Sequence, residues 1–324
     1  MIKAYQKVFS TFFLVAVIYI VNAVLGLVKT RILAEYFGDS KELGLYFLAD
    51  KIPSFITSFI VLGTVSAAFI PVFLGIQKKD KQESNYFIST LINLSILIYF
   101  FCFLFLFFFA YPISNLVSSY TLDPSSLDTV VYLTRVILSA QFFLIVSMYF
   151  TFFLQSNKKF IISAIWPVVY NLSIVLGVVF FSESKGIFSL VYGILAGSLA
   201  ALLIQLPIAL KSGFVYHFNI KITKKIKKVV RLSIPKVIAL GTHRAYSLLL
   251  YALILASYKN PAYIVIYEFA NQLQNVPITM FGASLSQIML PQLSELAFEK
   301  RTQKIKNILN NYIVLLVYIT LPLS

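Results

Sequence analysis

The chain alternates between long apolar runs and short polar segments. A helix needs about 20 mostly apolar residues to cross the hydrocarbon core of a bilayer. Runs of that kind occupy residues 8–28, 45–75, 86–112, 129–155, 160–181, 187–210, 232–257 and 263–291, and a ninth begins near 308. The bilayer core has no water to bond the backbone, so each run must satisfy its own backbone as a helix. The pattern predicts an all-α, polytopic membrane bundle with eight or nine transmembrane helices.

Composition excludes the soluble classes of protein. The chain has 324 residues, of which 59% are hydrophobic and 12% charged, whereas a soluble domain has about 45–50% apolar and about 25% charged residues. A cytosolic enzyme, a disordered chain and a secreted disulfide scaffold are therefore excluded. The single cysteine, Cys102, excludes an intrachain disulfide and a cysteine metal cluster.

The basic residues that give the chain its net charge of +15 lie mainly in the segments between the apolar runs. With the N-terminus inside, eighteen Lys and Arg residues fall in the inner segments and six in the outer ones. Excess basic residues mark cytoplasmic loops, so the charge predicts a multi-pass plasma (inner) membrane protein with a cytoplasmic N-terminus, and no nucleic-acid partner is needed. No small-residue cleavage site follows the first span, which predicts a retained helix and not a signal peptide.

The longest polar stretch, residues 211–231, carries seven of these basic residues. It divides the chain into six spans over 1–210, a basic cytoplasmic linker over 211–231, and the remaining spans over 232–324. Two interpretations of the linker stay open. It is a solvated loop that obeys the orientation rule, or an interfacial segment on the anionic inner leaflet with Phe214, Tyr216, Phe218 and Ile220 facing one way.

Several charged residues fall within or beside the apolar runs. A charge near the bilayer centre costs roughly 2.5–3.5 kcal/mol on insertion scales, so such residues usually face a cavity or a partner. The candidates are Lys29, Arg31, Glu35, Asp50, Lys51, Arg135, His243, Arg244 and Glu268. The charged side chains near span ends can alternatively reach the membrane interface. Asp50 can alternatively pair with a neighbouring lysine. Arg244 is about twelve residues into its span and is expected to face a cavity, whereas His243 is expected to be a hydrogen-bonded partner and not a metal ligand.

Helix breakers interrupt spans two and eight at corresponding places. Pro53 and Gly63 lie in the former, and Pro277 and Gly282 in the latter. Interrupted spans in corresponding positions are typical of transporters built from repeats, with the binding site between them. The two spans also share short patterns, since Tyr46-x2-Ala49-Asp50 is followed later by Tyr267-x2-Ala270-Asn271.

Motifs along the whole chain resemble the MurJ/MviN lipid II flippase family. They are Val24-Leu25-Gly26, Leu33-Ala34-x2-Phe37-Gly38, Lys51-Ile52-Pro53, Ala67-Ala68-Phe69-Ile70-Pro71, Pro167 with Asn171, Gln205-Leu206-Pro207, Phe281-Gly282 and Leu290-Pro291-x-Leu293-Ser294. The resemblance implies a two-lobe, inverted-V architecture of about fourteen helices around a central cavity, working by alternating access. On that basis 1–210 is the N-lobe, 232–324 is the start of the C-lobe, and the chain is expected to be truncated in its ninth span.

The resemblance also implies a binding site, with departures. The family's cavity arginines are thought to hold the diphosphate of lipid II, and their positions here are Ala23, Lys29, Thr57 and Gln272. The family's acidic positions are Thr30 and Gly44. Lysine binds phosphate as a point charge without arginine's bidentate fork. We therefore expect a substrate site of Lys29, Arg31, Arg135, Arg244 and Gln272, supported by Asp50, Glu268 and the four helix breakers.

The resemblance predicts a flippase that moves undecaprenyl-diphosphate-linked lipid II from the inner to the outer leaflet. Two alternatives stay open. The first is another transporter, either a flippase for a lipid-linked oligosaccharide of the O-antigen or capsule type or a drug exporter. The second is a flippase-derived scaffold that transports nothing. An enzyme is disfavoured because the chain has no HExxH, P-loop, Asp-x-Asp or Cys/His metal pattern. We expect a monomer without a cofactor, and the sequence names no coupling ion.

Overall fold

The computed structural model describes residues 2–64 and 69–277, together with short helical pieces between 303 and 314. Its nine helices over residues 2–277 are α1 (Ile2–Phe37), α2 (Lys41–Thr64), α3 (Phe69–Gln77), α4 (Lys81–Val117), α5 (Pro124–Ser156), α6 (Phe160–Lys185), α7 (Phe188–Lys211), α8 (Lys224–Tyr258) and α9 (Ala262–Pro277). These described residues contain no strand. The predicted all-α fold is confirmed.

Polar residues outside the apolar runs set the ends of the helices. Asp80 caps α4 by accepting from the backbone amides of Gln82 and Glu83, and Thr223 caps α8 in the same way. Asp123 caps α5, which begins at Pro124. Such caps satisfy amide groups that the first turn of a helix leaves without a partner. The helices therefore extend several residues beyond the apolar runs that predicted them.

Among the described residues, five helical segments are long and apolar enough to cross a membrane: Val17–Phe37 of α1, and the helices α4, α5, α6 and α7. The second predicted span, 45–75, is described as α2 up to Thr64 and as α3 from Phe69 onwards, and residues 65–68 between them lie outside the described residues. Helix α8 starts inside the predicted linker, and only Arg244–Tyr258 forms a shorter apolar segment. The eighth span is described as far as Pro277, and the predicted ninth lies almost entirely outside the described residues.

Close contacts between backbones bring α6 and α7 together. A Cβ atom built on Gly193 would lie 2.9 Å from both the Cα atom of Ile174 and the carbonyl oxygen of Ser173. Cβ atoms built on Gly177 and Gly197 would likewise lie 2.9 and 3.0 Å from the nearest atoms of the opposite helix. Small residues of this kind let membrane helices approach closely enough to pack without a hydrophobic driving force. Helix α1 packs on α6, and α2 packs on both α5 and α8.

The interior combines aromatic rings with satisfied polar groups. Phe69 and Phe73 stack at 5.4 Å, and Phe73 meets Phe153 at 5.8 Å. Gln205 is fully buried, accepts from the Thr151 hydroxyl at 2.9 Å and donates to an oxygen of Ser147 at 2.7 Å. Buried polar groups are tolerated in such surroundings when they have partners.

The outward surface is strongly apolar. Large side chains such as Phe108 and Phe180 are 72% and 70% exposed. Contiguous exposed apolar surface is rare on soluble monomers, whereas lipid tails cover it in a membrane. This agrees with a multi-pass membrane protein.

The chain divides into two compact units, Met1–Ile264 and Val265–Ser324. The first unit holds α1 to α8, and its connections alternate between two ends. The turns after α1, α4, α6 and α8 lie at one, which we call the α1–α2 end. The turns after α3, α5 and α7 lie at the other. The predicted division at 211–231 is not tested by this partition. The second unit contains most of α9.

Candidate functional site

A chain of polar side chains connects α1 to α6 within the bundle. The Lys29 ammonium donates to Oδ1 of Asn171 at 3.0 Å, and Nδ2 of Asn171 donates to Oδ1 of Asn22 at 3.1 Å. Asn22 and Lys29 are seven residues apart on α1, so they share one face of the helix. We call these three residues the Lys29 cluster. It holds a cation inside an apolar helix pair, where an uncompensated charge is costly.

Helix α2 adds a carboxylate near this cluster. Asp50 accepts from the Ser54 hydroxyl at 3.1 and 3.2 Å and lies close enough to Lys29 and Tyr170 for electrostatic interaction. The next residue, Lys51, stands 4.8 Å from the centre of the Tyr251 ring of α8. Lys29 and Asp50 therefore lie in a shared polar region between α1, α2 and α6, and their role in binding stays a prediction.

Arg135 is engaged elsewhere, between α5 and α4. Its Nε and Nη2 atoms donate to the carbonyl oxygen of Phe107 at 3.2 and 3.1 Å, and the guanidinium lies 4.7 Å from the Phe107 ring. Binding a substrate with Arg135 would require breaking these contacts.

The structure brings the other predicted residues to varied surroundings. Arg31 and Glu35 are exposed on α1, because they lie two and six residues beyond Lys29 and so fall on other faces of the helix. Arg244 is exposed on α8. Pro53 is buried within α2, and Gly63 lies in the last turn of that helix.

The remaining predicted residues belong to the second unit or lie outside the part of the chain that the structure describes. Glu268 is only 6% exposed, Gln272 is partly buried, and Pro277 ends α9 as described. Gly282 lies outside the described residues, as does the side chain of His243. The roles predicted for these residues stay predictions.

The positions that carry charge in the family by resemblance bond within their own helices here. The Thr57 hydroxyl donates to the carbonyl of Pro53 at 2.9 Å, and the Thr30 hydroxyl donates to that of Gly26 at 3.1 Å. At Gly44, a Cβ atom would lie 2.1 Å from the carbonyl oxygen of Pro261. An acidic side chain therefore does not fit at residue 44 in this conformation.

Contacts across the α1–α2 end bring its turns together. Lys41 and Asp123 form an exposed ion pair at 2.6 Å, and the Ser119 hydroxyl donates to the carbonyl of Ala252 in α8 at 3.0 Å. The Lys41 ammonium, with the Ser125 and Ser126 hydroxyls, holds the pKa of Asp123 well below its usual range. With the contact between Gly44 and Pro261, these pairs close this end of the first unit.

Sequence reasoning missed several polar residues that form hydrogen bonds between distant parts of the fold. Asn22 was not singled out, and Asn171 was noted only as part of a family pattern. Three polar residues of α4, Asn85, Ser89 and Asn93, bond to the segment after α7. Their spacing of four residues on an otherwise apolar helix was the available signal, because it places them on one face.

A family model described as "Lipid II flippase MurJ" matches residues 33–324. The chain belongs to the MurJ lipid II flippase family. The resemblance drawn from the motifs is thereby confirmed. A protein of Buchnera aphidicola named "Probable lipid II flippase MurJ" is 26% identical over 294 residues, which cover 87% of this chain and 56% of that protein. The "Lipid II flippase MurJ" of Thermosipho africanus is 31% identical over 185 residues, covering 55% and 36%.

A solved MurJ structure has the same fold. The structure titled "Lipid II flippase MurJ, inward closed conformation" matches with a TM-score of 0.72 and 24% identity, covering 89% of this chain and 59% of that one. The helical membrane flippase fold is therefore the fold of this MurJ-family chain as far as the match extends. The chain spans 56% and 60% of the length of two curated MurJ relatives, those of Buchnera aphidicola and Borreliella burgdorferi.

Proposed function

We propose that this chain works in a flippase that moves lipid II, the undecaprenyl-diphosphate-linked peptidoglycan precursor, from the inner to the outer leaflet by alternating access. A hydrated diphosphate-sugar head cannot enter hydrocarbon without losing its hydration, which is costly for charged groups. A polar, cationic interior lets the head cross while the lipid tail stays in the bilayer. Family membership and the Lys29 cluster support this proposal.

The Lys29 cluster is the observation that carries the proposal. The Asn22–Asn171 pair orients one donor of the ammonium, and a lysine ammonium has three. The other donors suit the oxygens of a diphosphate, which form charge-assisted hydrogen bonds with an ammonium. Arg31, Arg244 and Gln272 are further candidates for the head group, and Asp50 and Glu268 for balancing its charge. Pro53, Gly63, Pro277 and Gly282 are proposed to permit the change of conformation.

The proposed orientation puts the N-terminus in the cytoplasm of a bacterial cell and the α1–α2 end outside. The distribution of basic residues supports it, since twelve Lys and Arg residues between Lys78 and Arg231 lie at the opposite end. In this orientation the basic segment 211–231 faces the anionic inner leaflet, and the closed end of the first unit is the outer one. We propose that the protein acts as a monomer.

A second candidate is a flippase for a different lipid-linked oligosaccharide. Three positions that are arginine in the family by resemblance are Ala23, Thr57 and Gln272 here, and Thr57 bonds to its own helix. A site with fewer fixed cations suits a head group that carries less charge or is held more through its sugars. This observation concerns the identity of the head group and leaves the flipping step unchanged.

Complementation tests both candidates. The complete gene that encodes this chain is expressed in cells depleted of their own lipid II flippase, with Lys29→Gln, Lys29→Arg and the exposed Lys259→Gln as a matched control. Rescue is expected from the wild type, Lys29→Arg and Lys259→Gln, and loss of rescue from Lys29→Gln, with Arg244→Ala reporting on the second cation. Rescue by Lys29→Gln would overturn the role of the cluster. A wild type that reaches the membrane without rescuing would favour the second candidate.

A further inference from the structure

The segment after α7 is an extended strap held against α4 and α5; we define the strap as residues 213–223. Its start is anchored by Phe214, whose ring meets the rings of Phe150 and Phe153 edge-on at 5.2 and 5.5 Å. Phe214 is only 5% exposed. The amide of Asn85 donates to the carbonyl of Gly213 at 3.1 Å. The strap therefore leaves the last turn of α7 with a fixed direction.

Polar side chains on one face of α4 continue the attachment. The Asn93 amide donates to the carbonyls of His217 and Asn219 at 3.3 and 3.0 Å, and its oxygen accepts from the Tyr216 hydroxyl at 2.8 Å. The backbone amide of His217 donates to the Ser89 hydroxyl at 3.1 Å. An extended segment has few backbone bonds of its own, so these contacts satisfy groups that would otherwise need water. The strap is thus a fixed part of the fold and not a loose linker.

The opposite side of the strap is apolar and basic. Phe218 is 82% exposed, Ile220 and Ile222 are more than half exposed, and Lys221 between them is exposed. The first two turns of α8 add exposed basic side chains next to this surface, namely Lys224, Lys227, Lys228 and Arg231. The carboxylate of Glu83 is paired with Lys225. The other basic side chains of this surface therefore keep it strongly positive.

We infer that the strap is an interfacial anchor that binds an anionic phospholipid surface through Phe218, Ile220 and Ile222 with the surrounding lysines. Charge complementarity selects this occupant, since basic residues beside apolar side chains are typical of segments that lie on anionic leaflets. Continuity with the membrane supports it, because the strap joins α7, which is long and apolar enough to span, to α8. The inference rests on the proposed function only for the leaflet that the strap faces.

Fluorescence quenching in proteoliposomes tests the contact. The only tryptophan, Trp166, is replaced by Phe, and Phe218→Trp places a reporter on the strap. The full chain is reconstituted in phosphatidylcholine with a fraction of brominated phosphatidylglycerol or brominated phosphatidylcholine. Both are expected to quench the emission of this reporter, and the anionic lipid more strongly. Each lysine at the surface is expected to raise the relative affinity by about fivefold at low salt, and by less as ionic strength rises.

Charge-matched variants separate recognition of the anion from general attraction. Lys221→Gln with Lys224→Gln is expected to remove most of the preference for phosphatidylglycerol. Lys78→Gln with Lys79→Gln removes the same charge from another exposed turn at the same end and is expected to leave it unchanged. Equal quenching by the two lipids, or equal loss in both double variants, would overturn the proposal. Absence of quenching would mean that the strap meets water or a protein, which also overturns it.

The attachment to α4 has its own test. Asn93→Leu removes the bonds to Tyr216, His217 and Asn219 while keeping the size of the side chain, so quenching of the introduced tryptophan is expected to fall and trypsin to cut at Lys221. Unchanged quenching would overturn the claim that the polar side chains of α4 hold the strap in position to contact lipid. None of these measurements involves transport, so a failed complementation and a failed quenching experiment are distinguishable.

Discussion

Replacing Gly44 by alanine should open the α1–α2 end of the first unit. Gly44 is buried near the start of α2, against the loop that joins α8 to α9. A Cβ atom there would lie 2.1 Å from the carbonyl oxygen, 2.5 Å from the carbonyl carbon and 2.7 Å from the Cβ atom of Pro261. Two of these three atoms are backbone, so no rotation of a flexible side chain relieves the clash.

The size of the effect follows from these distances. Ordinary van der Waals contact for a Cβ atom begins near 3.4 Å, so the Pro261 loop must retreat by about 1.3 Å. Overpacking of this kind typically costs about 1–3 kcal/mol in a packed interior. At about 2 kcal/mol, the closed arrangement becomes roughly 30-fold less favourable relative to an open one, since 1.4 kcal/mol is tenfold.

Thiol labelling measures this opening. Leu255, in the last turn of α8, is fully buried in the wild type. A Leu255→Cys reporter in a Cys102→Ala background is exposed to a membrane-impermeant maleimide in intact cells. With Gly44 present, labelling should be slow, and Gly44→Ala should raise the rate by about tenfold or more.

Two glycines provide matched controls for the added methyl group. A Cβ atom on Gly26 or Gly75 would meet nothing within 4 Å. Gly26→Ala and Gly75→Ala should therefore leave the labelling rate unchanged. A Gly44→Ala protein that is folded and labelled at the wild-type rate would refute the reasoning, and so would equal acceleration in the controls. Labelling only from inverted vesicles would instead refute the proposed orientation.

Three further outcomes follow from contacts in the first unit. Gly193→Ala should lower the melting temperature in detergent more than Gly75→Ala does, because its methyl group meets backbone atoms at 2.9 Å; equal values would contradict the tight crossing. Asp123 has a lowered pKa in the folded state, so its ion pair stabilises above the ordinary carboxyl range and is lost as pH falls. The melting difference between wild type and Asp123→Asn should therefore shrink from pH 7 towards pH 3, and a constant difference would contradict it. Asn171→Leu should weaken complementation less than Lys29→Gln does, because the cation remains but is no longer oriented; unimpaired growth would contradict a positioning role.

Much of the fold was predictable because the bilayer imposes one requirement on every span. A run such as 86–112 must be helical, and it lies inside α4 (Lys81–Val117). The apolar run reports the thickness of the hydrocarbon and not the end of the helix, which Asp80 sets by capping.

The candidate site was predictable only in part, because a sequence shows costly residues and not their partners. Lys29 and Asp50 stood out as charges within or beside apolar runs. Asn22 and Asn171 are 149 residues apart, and their contact depends on how α1 packs on α6. The strap shows the same limit, because the positive charge of 211–231 was evident whereas its attachment to α4 through Asn93 required the fold.

A buried cation is evidence for a substrate site only when its present partner can be exchanged. The Lys29 ammonium donates to a neutral amide oxygen of Asn171, and a diphosphate oxygen offers a stronger, charge-assisted bond in its place. Nδ2 of Asn171 donates one hydrogen to Asn22, and its second hydrogen can donate to the same head group. Arg135 donates through Nε and Nη2 to the backbone carbonyl of Phe107 and lies against the Phe107 ring, so binding a head group there would require breaking all of these contacts. Exchange of partners therefore supports the proposed binding at Lys29 more than at Arg135, whose contacts join α5 to α4.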